Sequence, residues 1–141
     1  MIGTDLEIEA VVDRYCEAIG TQNKDEFISL WTGEPSDVLI SGSKYFEGVH
    51  TITDSFLIGG IQKMYSSIRL VKEDIKIHRL TDEIAVVIFR YHTVCRRRET
   101  GEPYGIRGLE TQVLKYTSSG WRIAHIQYSG KEIDPNTLEY K

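Results

Sequence analysis

The sequence predicts an α+β fold in which helices fill the first half and a meander of long antiparallel strands packs against them on one face. Two observations carry this. Apolar residues recur at helical spacing up to about residue 65, and from Ser67 to Tyr128 the pattern turns strand-like, broken by Gly-containing turns. The expected architecture is an antiparallel sheet packed on three helices, within one domain over residues 1–141.

Thr4 and Glu7 read as a capping box, each side chain satisfying a free backbone N–H at a helix start. Behind it Ile8, Val11, Val12, Tyr15 and Ile19 form one helical stripe, and Gly20 is the expected stop. Asn23 and Glu26 repeat the capping pattern before Phe27, Leu30 and Trp31, a short second helix ended at Gly33-Glu34-Pro35. Asp37 to Ser41 and Tyr45-Phe46 read as short strands around Gly42-Ser43. A third helix is expected from Val49 to about Tyr65, with Gly59-Gly60 bending it or letting it pack tightly.

In the second half, Ile68 and Leu70 share one parity and Ile75 and Ile77 the other, which implies a bulge between them. Ile84 to Phe89 is apolar on both parities. Arg96 to Pro103 reads as a hairpin tip, Tyr104 to Tyr116 as the return strand, Thr117 to Gly120 as a turn and Trp121 to Tyr128 as the last strand. An antiparallel sheet with helices on one face shows water the other, so the two-faced strand needs a second cover. A second copy of the chain on the open face, giving a homodimer, is the expected one. The chain's own C-terminal tail is the alternative.

Composition narrows the function. The chain has 17 basic and 21 acidic residues, a net charge of -4, which argues against a nucleic-acid partner. The Arg96-Arg97-Arg98 run is offset by Glu99 and Glu102 and reads as a solvated turn. The N-terminus lacks a basic start and no apolar run approaches the ~20 residues of a membrane span, so the cytoplasm is the expected location. Cys16 and Cys95 are read as inert thiols. The four histidines show no metal-ligand spacing, and no phosphate loop or nucleophile elbow is present, so no metal and no cofactor is expected.

Two stretches resemble a known superfamily. Asp13-Arg14-Tyr15-Cys16-Glu17-Ala18-Ile19, followed by Leu30-Trp31 and a strand, resembles the opening of ketosteroid isomerase and SnoaL-like proteins. Glu110-Thr111-Gln112-Val113, with Gly120 to Gly130 behind it, resembles the end of the calcium/calmodulin-dependent kinase II association domain. Both belong to the nuclear transport factor 2-like superfamily. The resemblance implies a cone-shaped, cystatin-like fold with a pocket inside the curved sheet. It also implies either a small-molecule site or a non-catalytic oligomerisation module.

By that resemblance Tyr15 matches the isomerase's tyrosine. The protonated-acid position falls near Gln112, with Glu110 two residues earlier on the same face. The carboxylate base would stand near Ser41, where no carboxylate occurs, which argues against steroid isomerisation by that route. Arg90 and His92 share a parity on the neighbouring strand. If that parity meets Glu110 and Gln112, the four form a polar patch at the pocket mouth, with Arg90 suited to a small carboxylate. The alternative is an Arg90–Glu110 salt bridge at the dimer surface. His125, grouped by parity with Trp121, Ile123 and Gln127, is a candidate general acid or base beside Glu110. Tyr15, Arg90, His92 and Gln112 are the candidate ligand contacts, for a small carbonyl or carboxylate compound.

Overall fold

The computed structural model describes residues 3–134. Helix α1, Asp5–Thr21, begins where Thr4 Oγ1 accepts the Glu7 N–H at 3.2 Å, and it buries the predicted stripe of Ile8, Val11, Val12, Tyr15 and Ile19. It runs past Gly20 and is closed by Gln22 in the left-handed region at φ 59°. Helix α2, Lys24–Ser29, starts at Asn23, whose side chain accepts the Glu26 N–H at 3.1 Å. The expected third helix is split. Its first turn is α3, Val49–Ile52, and Thr53–Gln62 is a π-helix. Gly59 accounts for part of that widening: a Cβ there would stand 2.9 Å from the Asp54 carbonyl oxygen, five residues back.

The strands are β1 (Val38–Ser41), β2 (Lys44–Glu47), β3 (Tyr65–Thr81), β4 (Ile84–Arg97), β5 (Pro103–Tyr104), β6 (Ile106–Thr117) and β7 (Gly120–Glu132). They form one curled sheet in the order β2-β1-β7-β6-β4-β3, with β5 paired to β4. The sheet is mixed, which corrects the all-antiparallel expectation: β1 runs parallel to β7, with Val38 opposite His125. The intervening helices carry the chain to the far edge at β3. Successive hairpins then bring β7 back alongside β1 in the same direction. β3 carries three register shifts against β4, and the one between Lys72 and Asp74 falls inside the predicted Leu70–Ile75 interval.

One face of the sheet holds the core. Ala85, Val87, Phe89 and Tyr91 of β4, Leu114 of β6, and Trp121, Ile123 and Ile126 of β7 pack with the buried stripe of α1, Phe27 and Phe56. Lys72 on β3 pairs with Glu9 and with Asp13 of α1 (2.7 Å to the latter), which ties the helix across the open side of the curl. Gly108 is required where β6 meets β7, since a Cβ would fall 1.9 Å from the Ser129 carbonyl oxygen. The resulting close approach lets the Tyr91 hydroxyl donate to that same oxygen at 3.2 Å. Among the described residues, no helix is long and apolar enough to cross a membrane.

The opposite face of β4 presents Val86, Ile88 and Arg90, with Ile88 37% exposed. Leu109, opposite Arg90 on β6, is 48% exposed. The two-faced character of β4 is therefore real, and its outer side is not covered by the described chain. The C-terminal tail offered as an alternative cover lies, over residues 135–141, outside the described residues.

Candidate functional site

Inside the curl lies a cavity of about 80 Å³. Tyr15 and Ile19 of α1, Phe56 and Ile61 of the π-helix, Tyr91 and Cys95 of β4, Glu110 of β6 and Tyr128 of β7 are among its lining residues. The walls are mostly aromatic and aliphatic, as in typical small-ligand sites, and Glu110 is the one carboxylate among them. No Lys, Arg or His among the described residues lines it.

Glu110 is 3% exposed, and its Oε2 accepts a 2.7 Å hydrogen bond from Gln112 Nε2. Burial pushes its carboxyl up from 4.5 to about 7, and the Gln112 bond only partly opposes this. Gln112 is fully buried, with Val87 and Ile126 opposite it on the flanking strands, and its Oε1 has no hydrogen-bond partner. Protonated Glu110 has a hydrogen to offer that oxygen, so the amide can serve both states of the acid.

Three phenols surround the carboxyl. The Tyr15 hydroxyl titrates well above its usual range because it is buried and, secondarily, because Glu110 is close. Tyr91 is raised for the same two reasons in the same order. Tyr128 is pushed up to about 12 by burial, against a hydrogen bond from Ser41. Ser41 Oγ donates that bond at 2.7 Å, which leaves the Tyr128 hydrogen available to another acceptor. Each phenol is thus a neutral donor, and Glu110 is the carboxyl of the cavity that burial brings near neutral pH.

The register separates the predicted site residues into two groups. Phe89 pairs with Glu110, and Arg90 with Leu109, so Glu110 and Gln112 share the inner face with Phe89 and Tyr91. Arg90 and His92 lie on the outer face. The predicted four-residue patch does not form, and neither does an Arg90–Glu110 salt bridge; His92 Nδ1 instead lies 3.4 Å from Glu73 Oε2. The physical reason is the two-faced apolar run, which offered two parities for the core; the aromatic one, Phe89 and Tyr91, went inside.

His125 is also outside. Its partner across β6 is Val113, while Ile123 pairs with Leu114, so Ala124 is the extra residue of a bulge. That bulge inverts the parity, placing Trp121, Ile123, Ile126 and Tyr128 inside and His125 with Gln127 outside. His125 therefore shares no cavity with Glu110. Tyr15, Glu110 and Gln112 stay together, and Tyr91 and Tyr128 join them. Simple alternation on β7 missed Tyr128; the opposite parity of the apolar pair Ile123 and Ile126, three apart, was the signal that could have found it.

A curled sheet wrapped by helices around an internal cavity defines a cone-shaped α+β pocket fold. The family profile for the SnoaL-like domain matches residues 8–131, and the chain belongs to this family within the nuclear transport factor 2-like superfamily. A search of curated proteins gave no match. Among solved structures, a nuclear transport factor 2-like superfamily protein from Salmonella enterica serovar Typhimurium is 28% identical, with a TM-score of 0.85 and 89% of each chain covered. The hexachlorocyclohexane dehydrochlorinase LinA-type3 from Novosphingobium barchaimii is 8% identical with a TM-score of 0.77, covering 92% of this chain and 94% of its own. A protein from Xanthomonas campestris proposed to be a calcium/calmodulin dependent protein kinase II association domain is 21% identical. Its TM-score is 0.75, with 92% of this chain and 89% of its own covered. The last two likenesses concern the fold alone.

Proposed function

We propose that the chain binds a compact, uncharged carbonyl compound in the cavity and that Glu110 carries protons to and from it, with Tyr15 and Tyr128 as donors to its oxygen. The observation that carries this reading is a buried carboxyl, raised to about 7, at a cavity lined by no cation. A proton carrier works best when both of its forms are populated at the working pH. A carboxylate ligand would meet a like charge and no counter-ion, so of the two ligand classes expected from sequence the carbonyl compound is favoured. The cavity is smaller than the roughly 150 Å³ that holds a benzene, which points to small probes.

Acetone, which is smaller than benzene, is the probe to use, with acetate as the charged counterpart. In D₂O the native protein should accelerate exchange of the ketone's α-hydrogens, followed by proton NMR, and Glu110→Gln should abolish the acceleration. Equal exchange with both proteins would refute the assignment of Glu110. Protection by acetate alone in a thermal-shift assay would refute the ligand class.

A second reading, self-association through the outer face, is favoured by exposed Ile88 and Leu109 beside Val86. It is compatible with the pocket. Sedimentation velocity at micromolar concentration should show a dimer that Leu109→Arg dissociates, and a monomeric native protein would exclude it.

A further inference from the structure

The arginine run at the β4 hairpin reads from sequence as a solvated turn, yet two of its members hold the rim of the cavity. The Arg98 backbone N–H donates to the Met64 carbonyl at 2.9 Å, its Nε to the Gln62 carbonyl at 3.0 Å and its Nη2 to the Tyr65 carbonyl at 2.8 Å. Gln62 is the last residue of the π-helix, Tyr65 the first of β3 and Met64 lies between them, where helical hydrogen bonding runs out. Arg98 is thus a clamp between the hairpin and the helix end.

Its neighbour acts on the same wall. The Arg97 guanidinium lies 4.1 Å from the centre of the Tyr104 ring, and Tyr104 stacks on Tyr65 with centroids 5.8 Å apart and planes 20° apart. Tyr65 lines the cavity, as does Met64, which is 52% exposed and so stands at the boundary with solvent. Both rim residues are therefore positioned by consecutive arginines of one hairpin.

We propose that Arg98, with the Arg97–Tyr104–Tyr65 stack beside it, governs admission to the cavity: a ligand passes when the clamp releases Met64 and Tyr65 from the hairpin. Arg97 and Arg98 are positioning residues that act through those two side chains and touch no reacting atom. The helix that must move is already loosened by its π geometry, and Gly59-Gly60 lies just before the clamped carbonyls. This assignment rests on reading the cavity as the ligand site.

Its test needs no ligand, because Cys95 lines the cavity and is buried, so its alkylation reports passage through the rim. Iodoacetamide, small and uncharged, is applied in excess to the folded protein, and labelling of Cys95 is followed by peptide mass spectrometry. Arg98→Gln should raise the Cys95 rate about tenfold, the worth of roughly one hydrogen bond to a charged group. Tyr104→Leu, which keeps the clamp but removes the stack, should raise it less. Arg90→Gln, on the outer face, should label at the native rate. Global unfolding is measured in parallel by tryptophan fluorescence. Native labelling rates in both rim variants would overturn the proposal, and so would a rate that merely tracks global unfolding. Either result would leave the ketone-exchange outcome, and with it the role of Glu110, to stand or fall separately.

Discussion

Glu110→Gln is expected to stabilise the protein by about 3 kcal/mol at about pH 8 and to leave it nearly unchanged at about pH 4. The folded carboxyl titrates at about 7 against an ordinary 4.5, so between those values the folded state holds a proton that the unfolded chain has lost. Stability therefore falls as pH rises through that window. Below it both states are protonated and the penalty is absent; above it both are ionised and the full desolvation cost is present. Glutamine keeps the shape, never ionises, and can offer an N–H to the unpartnered Gln112 Oε1. Urea denaturation of both proteins at the two pH values measures the difference directly. An equal difference at both would mean that Glu110 titrates normally.

Phe27→Ala should cost about 3–5 kcal/mol, the range for emptying a fully buried phenylalanine site. Phe27 is the one buried side chain of the short helix α2 and is fully enclosed. Its ring centre lies 5.8 Å from Tyr15, 6.1 Å from Trp31 and 6.4 Å from Phe56. Tyr15 and Phe56 are cavity walls, so the same truncation removes their backing and should weaken binding of acetone as well. The urea midpoint reads the first effect, and ligand-induced protection reads the second. A loss below about 1.5 kcal/mol, typical of volume-conserving swaps, would show that α2 does not support the pocket wall.

Much of this architecture was legible in the residues. The capping pairs Thr4/Glu7 and Asn23/Glu26 marked two helix starts, and the stripe from Ile8 to Ile19 named the buried face of α1. The parity change between Leu70 and Ile75 located one bulge of β3. The site was less legible, for two physical reasons. A strand apolar on both faces, Ile84–Phe89, does not declare which parity is inside, so Arg90 and His92 could be placed with Glu110 or against it. A bulge such as that at Ala124 flips every later side chain, and one residue sufficed to exchange His125 for Tyr128. The π-helix brings Gly59 close to the Asp54 carbonyl, an approach that no apolar periodicity records. Tyr15, Glu110 and Gln112 were recoverable because neither α1 nor the Glu110–Gln112 stretch of β6 contains an irregularity.

In the proposed function Glu110 exchanges its proton near neutral pH. Carbon-13 NMR of the Glu110 carboxyl, titrated in the folded protein and assigned with Glu110→Gln, measures it most directly. The predicted midpoint is about 7, and a midpoint at the ordinary 4.5 would contradict the account.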